Sequence, residues 1–322
     1  MITIAGAGLA GLACAYELAQ RGAAITVYEQ GAMPGDSSVA RFAGGMLAPW
    51  CERESAEEEV ITLGSRAFDW WARVTPVHRR GTLVVAPARD RAELTRFARR
   101  TSGHRGVNGP EIAELEPALA GRFAQGLFFE QEAHLDPRRA LSDLSAKVQE
   151  MGVEIRYGAP APARVTLDCT GMAAPLPGLR PVRGEMAILH CPELEISRTL
   201  RLLHPRMPLY LVPRGDGYFM IGGTMIESSS DRAITLRSLS DLLSAAFALH
   251  PAFAEASVAE TGAGLRPAFP DNLPRLTEQG GTLHVNGLYR HGFLLAPAMA
   301  EAAARHLLQE TSDEDHRERR TA

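Results

Sequence analysis

The chain has 322 residues, 45% of them hydrophobic and 22% charged, and a net charge of −4. That length and mix fit a soluble globular protein of one large or two interleaved domains, able to bury a core without disulfides or metals. The balance excludes a global basic field for nucleic acid or anionic lipid, and no stretch approaches the roughly 20 apolar residues of a membrane span.

Ile2 to Ala5 is a short β-prone run. The first sixteen residues lack the basic start of a signal peptide, and their glycines fall at turn-forming intervals. After Gly6-Ala7-Gly8-Leu9-Ala10-Gly11, the residues Leu9, Leu12, Ala13 and Tyr16 keep helical spacing up to Gly22. Ala24 to Glu29 reads as a second strand, completing a βαβ unit. Met33 to Pro49 is rich in glycine and small residues, and Ser55 to Val74 reads as one helix. Thr82 to Ala86 reads as a strand, and Asp90 to Arg100 as a charged helix with a solvated face. Asp136-Pro137 caps a helix from about Arg138 to Met151. Val153 to Tyr157 and Val165 to Leu167 are strands around a Pro/Ala-rich link. Arg183 to Ile221 is strand-rich, Leu239 to Leu249 helical, and Leu283 to Val285 a strand. A final helix begins near Pro297 and runs through Leu308, before a polar tail expected to be disordered.

The alternation implies a mixed α/β fold of two domains made from separated segments. Residues 1–77, 132–180 and 262–310 are assigned to a nucleotide domain, 78–131 and 181–261 to a second, and 311–322 to the tail. Cys14, Cys51, Cys169 and Cys191 lie far apart with no C-x-x-C, which points to buried thiols in a reducing, cytoplasmic setting.

The glycine loop carries a specific chemistry. The first glycine permits the tight turn, the second lets the backbone approach a pyrophosphate, and the third lets helix and strand pack closely. The helix N-terminus adds unpaired N–H groups and partial positive charge. Glu29, about 20 residues on, is placed to accept from ribose hydroxyls and disfavours a 2′-phosphate. The loop alone leaves NAD and FAD open. Later stretches favour FAD: Ala43-Gly44-Gly45-Met46-Leu47-Ala48-Pro49, Asp168-Cys169-Thr170-Gly171, Gly264-Leu265-Arg266-Pro267, and Tyr289-Arg290-His291-Gly292-Phe293-Leu294-Leu295-Ala296-Pro297.

With Tyr210-Leu211-Val212-Pro213-Arg214, Ile221-Gly222-Gly223-Thr224-Met225 and Pro270-Asp271-Asn272-Leu273-Pro274, these stretches resemble the D-amino-acid oxidase superfamily, and within it the glycine oxidases of thiamine biosynthesis. The resemblance implies a Rossmann-type FAD domain interleaved with an antiparallel-sheet substrate domain. It implies oxidation of a small amine or amino acid to an imine, with O₂ reduced to H₂O₂. It places FAD against Gly6, Gly8, Leu9, Ala10, Gly11, Glu29, Gln30 and Arg41. Gly44, Gly45, Met46, Ala161 and Gly171 follow, with His291, Gly292, Phe293 and Leu294 late in the chain. Arg266 matches the family's carboxylate-binding arginine, a task that suits a planar fork of donors. Arg290 and Tyr210 match groups near the substrate, and Met225 an apolar wall. Relatives that attach flavin covalently use a late cysteine; none follows Cys191, so noncovalent FAD is expected.

The resemblance also points to a homo-oligomer, while the natural electron acceptor and a handover of the imine to a thiazole synthase stay open. Sarcosine or a D-amino acid stays open as substrate. So do two other classes: an NAD-dependent dehydrogenase and a noncatalytic flavoprotein. The segment between Ile155 and Thr166 is shorter than the family's, and Pro208 and Leu288 stand where the family pattern has histidines. No metal-binding histidine spacing occurs.

Overall fold

The computed structural model describes residues 1–204 and 208–309, and the tail expected at 311–322 lies outside the described residues. The chain divides into two compact units. The first comprises Met1–Arg41, Leu141–Arg180 and Pro267–Ala322, and the second Phe42–Ala140 and Pro181–Arg266.

The first unit holds a six-stranded sheet in the order Arg275–Gln279, Thr282–Asn286, Leu167–Asp168, Ile2–Ala5, Ile25–Glu29, Glu154–Tyr157. Its pairs are parallel except the Arg275–Gln279 hairpin. Gly280 and Gly281, both at positive φ, make that two-residue turn. The βαβ entry runs from Ile2–Ala5 through the Leu9–Gln20 helix to Ile25–Glu29. Leu12, Ala13, Cys14, Ala15 and Leu18 are fully buried, so most of this helix faces protein. A second helix, Gly292–Leu307, packs against it, with Gly292 allowing the closest approach: a Cβ there would stand 2.9 Å from Leu9 Cδ2.

The second unit is built on a nine-stranded, mainly antiparallel sheet. One pair departs from that pattern, because Thr199–Leu202 runs parallel to Thr82–Val85. Period-two alternation sorts the strand residues onto two faces. Leu83, Leu200, Leu209, Leu211 and Ile221 point into a core covered by the Leu236–Leu249 helix. Val84, Arg201 and Tyr210 occupy the opposite face, where Arg201 stands opposite Tyr210 and Tyr210 opposite Gly222.

Several local expectations are corrected. Ser55 to Val74 is two helices, Glu58–Gly64 and Ala67–Ala72, interrupted after Gly64. The Leu236–Leu249 helix starts three residues before Leu239, where Thr235 Oγ1 accepts from the Ser238 N–H. The strand expected at Val165 lies instead at Leu167–Asp168. The last helix begins at Gly292, not near Pro297, which sits inside it. Residues 158–166 carry no strand, in keeping with the short segment noted there.

Candidate functional site

The glycine loop lies at the C-terminal edge of the first unit's parallel sheet, the usual nucleotide position in such folds. Its three glycines have different reasons. Gly6 has φ +88°, and a Cβ there would meet the Cys169 carbonyl oxygen at 2.9 Å. A Cβ on Gly11 would lie 1.8 Å from the Gly6 oxygen, so the turn itself demands that glycine. At Gly8 the chain makes little demand: the nearest atom is the Ser38 hydroxyl, at 3.3 Å. A Cβ there would press on a movable side chain rather than on backbone, so the fold demands glycine less at Gly8 than at Gly6 or Gly11. Gly8 is also the N-cap of the Leu9–Gln20 helix, with no side-chain cap and no acid in the first turn. Such an end suits a pyrophosphate.

Glu29 is buried at the end of its strand. Its Oε2 accepts from the Ala7 N–H at 2.7 Å; its Oε1 accepts from the Gly31 N–H at 2.7 Å and the Ser37 hydroxyl at 2.6 Å. The carboxylate thus ties the glycine loop to residues 31–37, a part that sequence reasoning did not give it. Its roughly four lone-pair sites leave capacity for a ribose hydroxyl. Together these residues fit a dinucleotide.

The remaining cofactor candidates in this unit are distributed along its loops. Gln30 is exposed, Arg41 is half-buried with its guanidinium 3.8 Å from Asp36, and Ala161 is half-buried. Gly171 has φ +61°, and its carbonyl accepts from Asn286 Nδ2 at 2.8 Å. His291 is the buried N-cap of the Gly292–Leu307 helix, Arg290 precedes it half-buried, and Phe293 and Leu294 are buried in the first turn. The positive end of that helix therefore falls on the stretch expected at the flavin. Leu288 is buried and Pro208 exposed.

In the second unit the structure brings Tyr210 and Arg266 together. A Cβ built on Gly223 would stand 2.6 Å from the Tyr210 hydroxyl and 3.5 Å from Arg266 Nη2, so the two groups lie close together beside Gly223. Glycines floor both. Tyr210 lies against Gly44 and Gly222, whose added Cβ atoms would meet its ring or hydroxyl at 3.0 and 2.8 Å. The Arg266 guanidinium lies over Gly184. Arg266 Nη1 donates to the Thr224 carbonyl at 2.9 Å. An arginine has five N–H donors, and no other acceptor among the described residues engages this one. Its fork thus keeps donors for a carboxylate. Met225, beside Thr224, is 52% exposed.

The Gly44–Gly45 stretch is held from below by Arg214, a residue to which the sequence assigned no role. Its Nη2 donates to the carbonyls of Ala43 (3.1 Å) and Gly44 (3.0 Å), and its Nη1 to that of Leu135 (3.3 Å). Burial pushes its pKa down to about 10, against the pull of Asp136, so it stays charged at neutral pH. Gly45, at φ +69°, is required by the Leu135 oxygen, which a Cβ would meet at 2.2 Å. Met46 is half-buried in the short pair with His134.

Ser37, Ser38, Gly184, Thr224 and Arg214 were not singled out from sequence. A signal existed for Gly184, because an isolated glycine inside a strand marks a close backbone approach. Among the described residues no group of acidic, histidine or cysteine side chains is arranged to hold a metal, and no helix is long and apolar enough to cross a membrane.

A loop that fits a dinucleotide in one unit and, in the other, an arginine with donors to spare close to a tyrosine hydroxyl point to the oxidoreductases. Residues 1–306 match the family described as FAD dependent oxidoreductase, DAO. The chain is 56% identical, over 98% of its length and 99% of the relative's, to a Rhizobium etli chain named as a thiamine biosynthesis oxidoreductase, ThiO. It is 27% identical to a Pseudomonas putida glycine oxidase, over 93% of this chain and 92% of that one. The crystal structure of glycine oxidase from Geobacillus kaustophilus superposes with TM-score 0.81 at 20% identity, covering 97% and 95% of the two chains. The chain belongs to the DAO family of FAD-dependent oxidoreductases.

Proposed function

We propose that the enzyme oxidises glycine to its imine and that the product serves thiazole formation in thiamine biosynthesis. One observation carries the substrate side of this reading: Arg266 and Tyr210 converge on a glycine floor, with Arg266 keeping donors to spare. The sequence relationship to glycine oxidase and to ThiO supports the amine and the pathway.

FAD, when bound, would supply the two-electron acceptor for the hydride leaving Cα, with O₂ as the final oxidant reduced to H₂O₂. The first unit would hold it through Gly6, Gly8, Gly11 and Glu29 at the dinucleotide end, and the His291–Leu294 turn at the other. Arg266 binds the substrate carboxylate in a charge-assisted fork, fixing which Cα–H bond is presented. The Tyr210 hydroxyl offers a hydrogen bond to the same substrate. No side chain is needed as base if the amine binds neutral, because the iminium formed loses its proton readily. The N-terminus of the Gly292–Leu307 helix offers partial positive charge to negative charge that develops nearby.

Anaerobic mixing of the yellow holoenzyme with glycine, sarcosine and D-alanine in turn tests the substrate. Glycine is expected to bleach the flavin absorbance. Bleaching by sarcosine or D-alanine but not glycine would move the enzyme to another small amine and remove the thiazole assignment. The imine hydrolyses in water, so a direct handover to a thiazole synthase follows from this reading. Buried, unpaired Cys14, Cys51, Cys169 and Cys191 support a reducing, cytoplasmic setting.

A further inference from the structure

The Arg180–His190 strand pairs Met186 with Gly222 and Arg183 with Ile226. Between these pairs, two residues of that strand, Gly184 and Glu185, oppose three: Gly223, Thr224 and Met225. The extra residue makes a bulge, a device that re-aims groups locally. Here it turns the Thr224 carbonyl toward the Arg266 guanidinium, which crosses Gly184 to reach it.

Thr224 is locked from its other side. The Glu185 N–H donates to Thr224 Oγ1 at 2.9 Å, and the Thr224 hydroxyl donates to Glu185 Oε2 at 3.1 Å. The Thr224 N–H donates to the Glu185 carbonyl at 3.2 Å. Glu185 is itself fixed: its other carboxylate oxygen accepts from Arg183 Nη2 at 2.7 Å and from the Thr235 N–H at 3.1 Å. Its side chain is fully buried, as is nearly all of Arg183's. Burial acts to raise the Glu185 pKa, but hydrogen bonds from Ser238, Arg183, Thr235 and Thr224 outweigh it and hold the group below its ordinary range. An ionised acid is thus built into the sheet behind Thr224.

We propose that Thr224, locked by Glu185, is a positioning residue that sets the reach and orientation of the Arg266 fork toward the substrate carboxylate. The proposal rests on the reading of Arg266 as the carboxylate-binding group. Thr224 touches neither reacting atom; it acts through its carbonyl on Arg266. A long arginine without this anchor samples several rotamers, and only some present both donors to one carboxylate.

The test uses the holoenzyme and three variants, R266A, T224V and T224S, with T224A as a second hydroxyl deletion should T224V not fold. The readouts are KM and kcat for glycine, the calorimetric Kd of acetate, bound FAD and Tm. R266A examines the underlying reading and should raise KM and the acetate Kd about 100-fold. An unchanged acetate Kd in R266A would remove the carboxylate role itself. T224V or T224A should raise KM and the acetate Kd roughly tenfold, with little loss of kcat at saturation, because misplacement by a fraction of an ångström is costly. T224S, which keeps the hydroxyl, should restore both. With R266A behaving as expected, a T224V or T224A protein that loses Tm yet keeps wild-type KM and acetate Kd overturns the proposal. So does a T224S protein as impaired as T224V.

Discussion

Arg266 lies on Gly184 so closely that a Cβ at that position would come within 2.1 Å of Nη2 and 2.2 Å of Cζ. The atoms in the way are the far end of a flexible side chain, so a methyl group there is accommodated by moving the guanidinium. Gly184→Ala should therefore fold with nearly unchanged Tm and bind FAD. Its KM for glycine should rise by about 10²-fold, the scale of a misplacement near 1 Å. Steady-state kinetics with parallel thermal melts check this. A wild-type KM would mean that the fork lies off the substrate path.

The three loop glycines separate what the fold needs from what the ligand needs. Gly11→Ala puts a methyl 1.8 Å from the Gly6 carbonyl and should destabilise the chain by several kcal/mol. Gly8→Ala meets only the Ser38 side chain but replaces the helix N-cap, and should lower apoprotein stability by only about 1 kcal/mol. Its FAD affinity should nevertheless fall sharply. Urea unfolding of both apoproteins, with flavin fluorescence titration, separates the two effects. A Gly8→Ala protein with full FAD affinity would contradict a pyrophosphate at that position.

Glu29→Gln replaces an acceptor-only group with an amide that can donate. One of the Ala7 and Gly31 N–H groups, both 2.7 Å from the carboxylate, then faces an NH₂. The loss of a charge-assisted bond is worth about 1.5–3 kcal/mol, so FAD should bind roughly 10- to 100-fold more weakly. Equilibrium titration of the apoprotein provides the number. Unaltered affinity would show that the carboxylate serves only the chain's own loops.

Glu132 is fully buried, and its Oε1 accepts from the Cys51 N–H at 2.7 Å. Burial raises its pKa from 4.5 to about 7, despite the opposing hydrogen bonds from its neighbours. An acid with a raised folded-state value binds its proton more tightly in the fold than in the unfolded chain. Stability should therefore fall as pH rises from 4.5 to about 7, by about 3 kcal/mol in all. Glu132→Gln removes that fall. Denaturant unfolding of both proteins at about pH 5 and pH 8 compares them, and a stability difference that is the same at both values would mean that the carboxyl is ionised in the fold.

What could be read from the sequence divides along physical lines. The βαβ entry was legible because each of its parts is local: a short strand, three spaced glycines, helical periodicity and an acid. The start of the last helix was not, because Pro297 reads as a boundary while the sheet and the Leu9–Gln20 helix hold the chain helical from Gly292. The break after Gly64 went unread for the opposite reason: Gly64 and Ser65 are weak helix formers, but the apolar residues on either side, Val60, Ala67, Phe68 and Trp71, keep helical spacing across them. In the site, Arg266 and Tyr210 stood out through their motifs. The seat of Arg266 on Gly184 and the grip of Arg214 on Ala43 and Gly44 depend on strands far apart in sequence, and only the folded sheet assembles them.

The interleaving of the two units has a consequence for how the protein is made. The chain passes from one unit to the other after Arg41, Ala140, Arg180 and Arg266. In the cofactor unit's sheet, the early strand Ile2–Ala5 shares the Leu167–Asp168 strand as neighbour with the much later Thr282–Asn286. Completion of the sheet must wait for that late segment, and such long-range closure is slow. Until then the glycine loop is a tether without a lock, and FAD has nothing complete to bind. FAD therefore joins the completed chain rather than the nascent one, and flavin supply after synthesis sets how much of the enzyme becomes holoprotein.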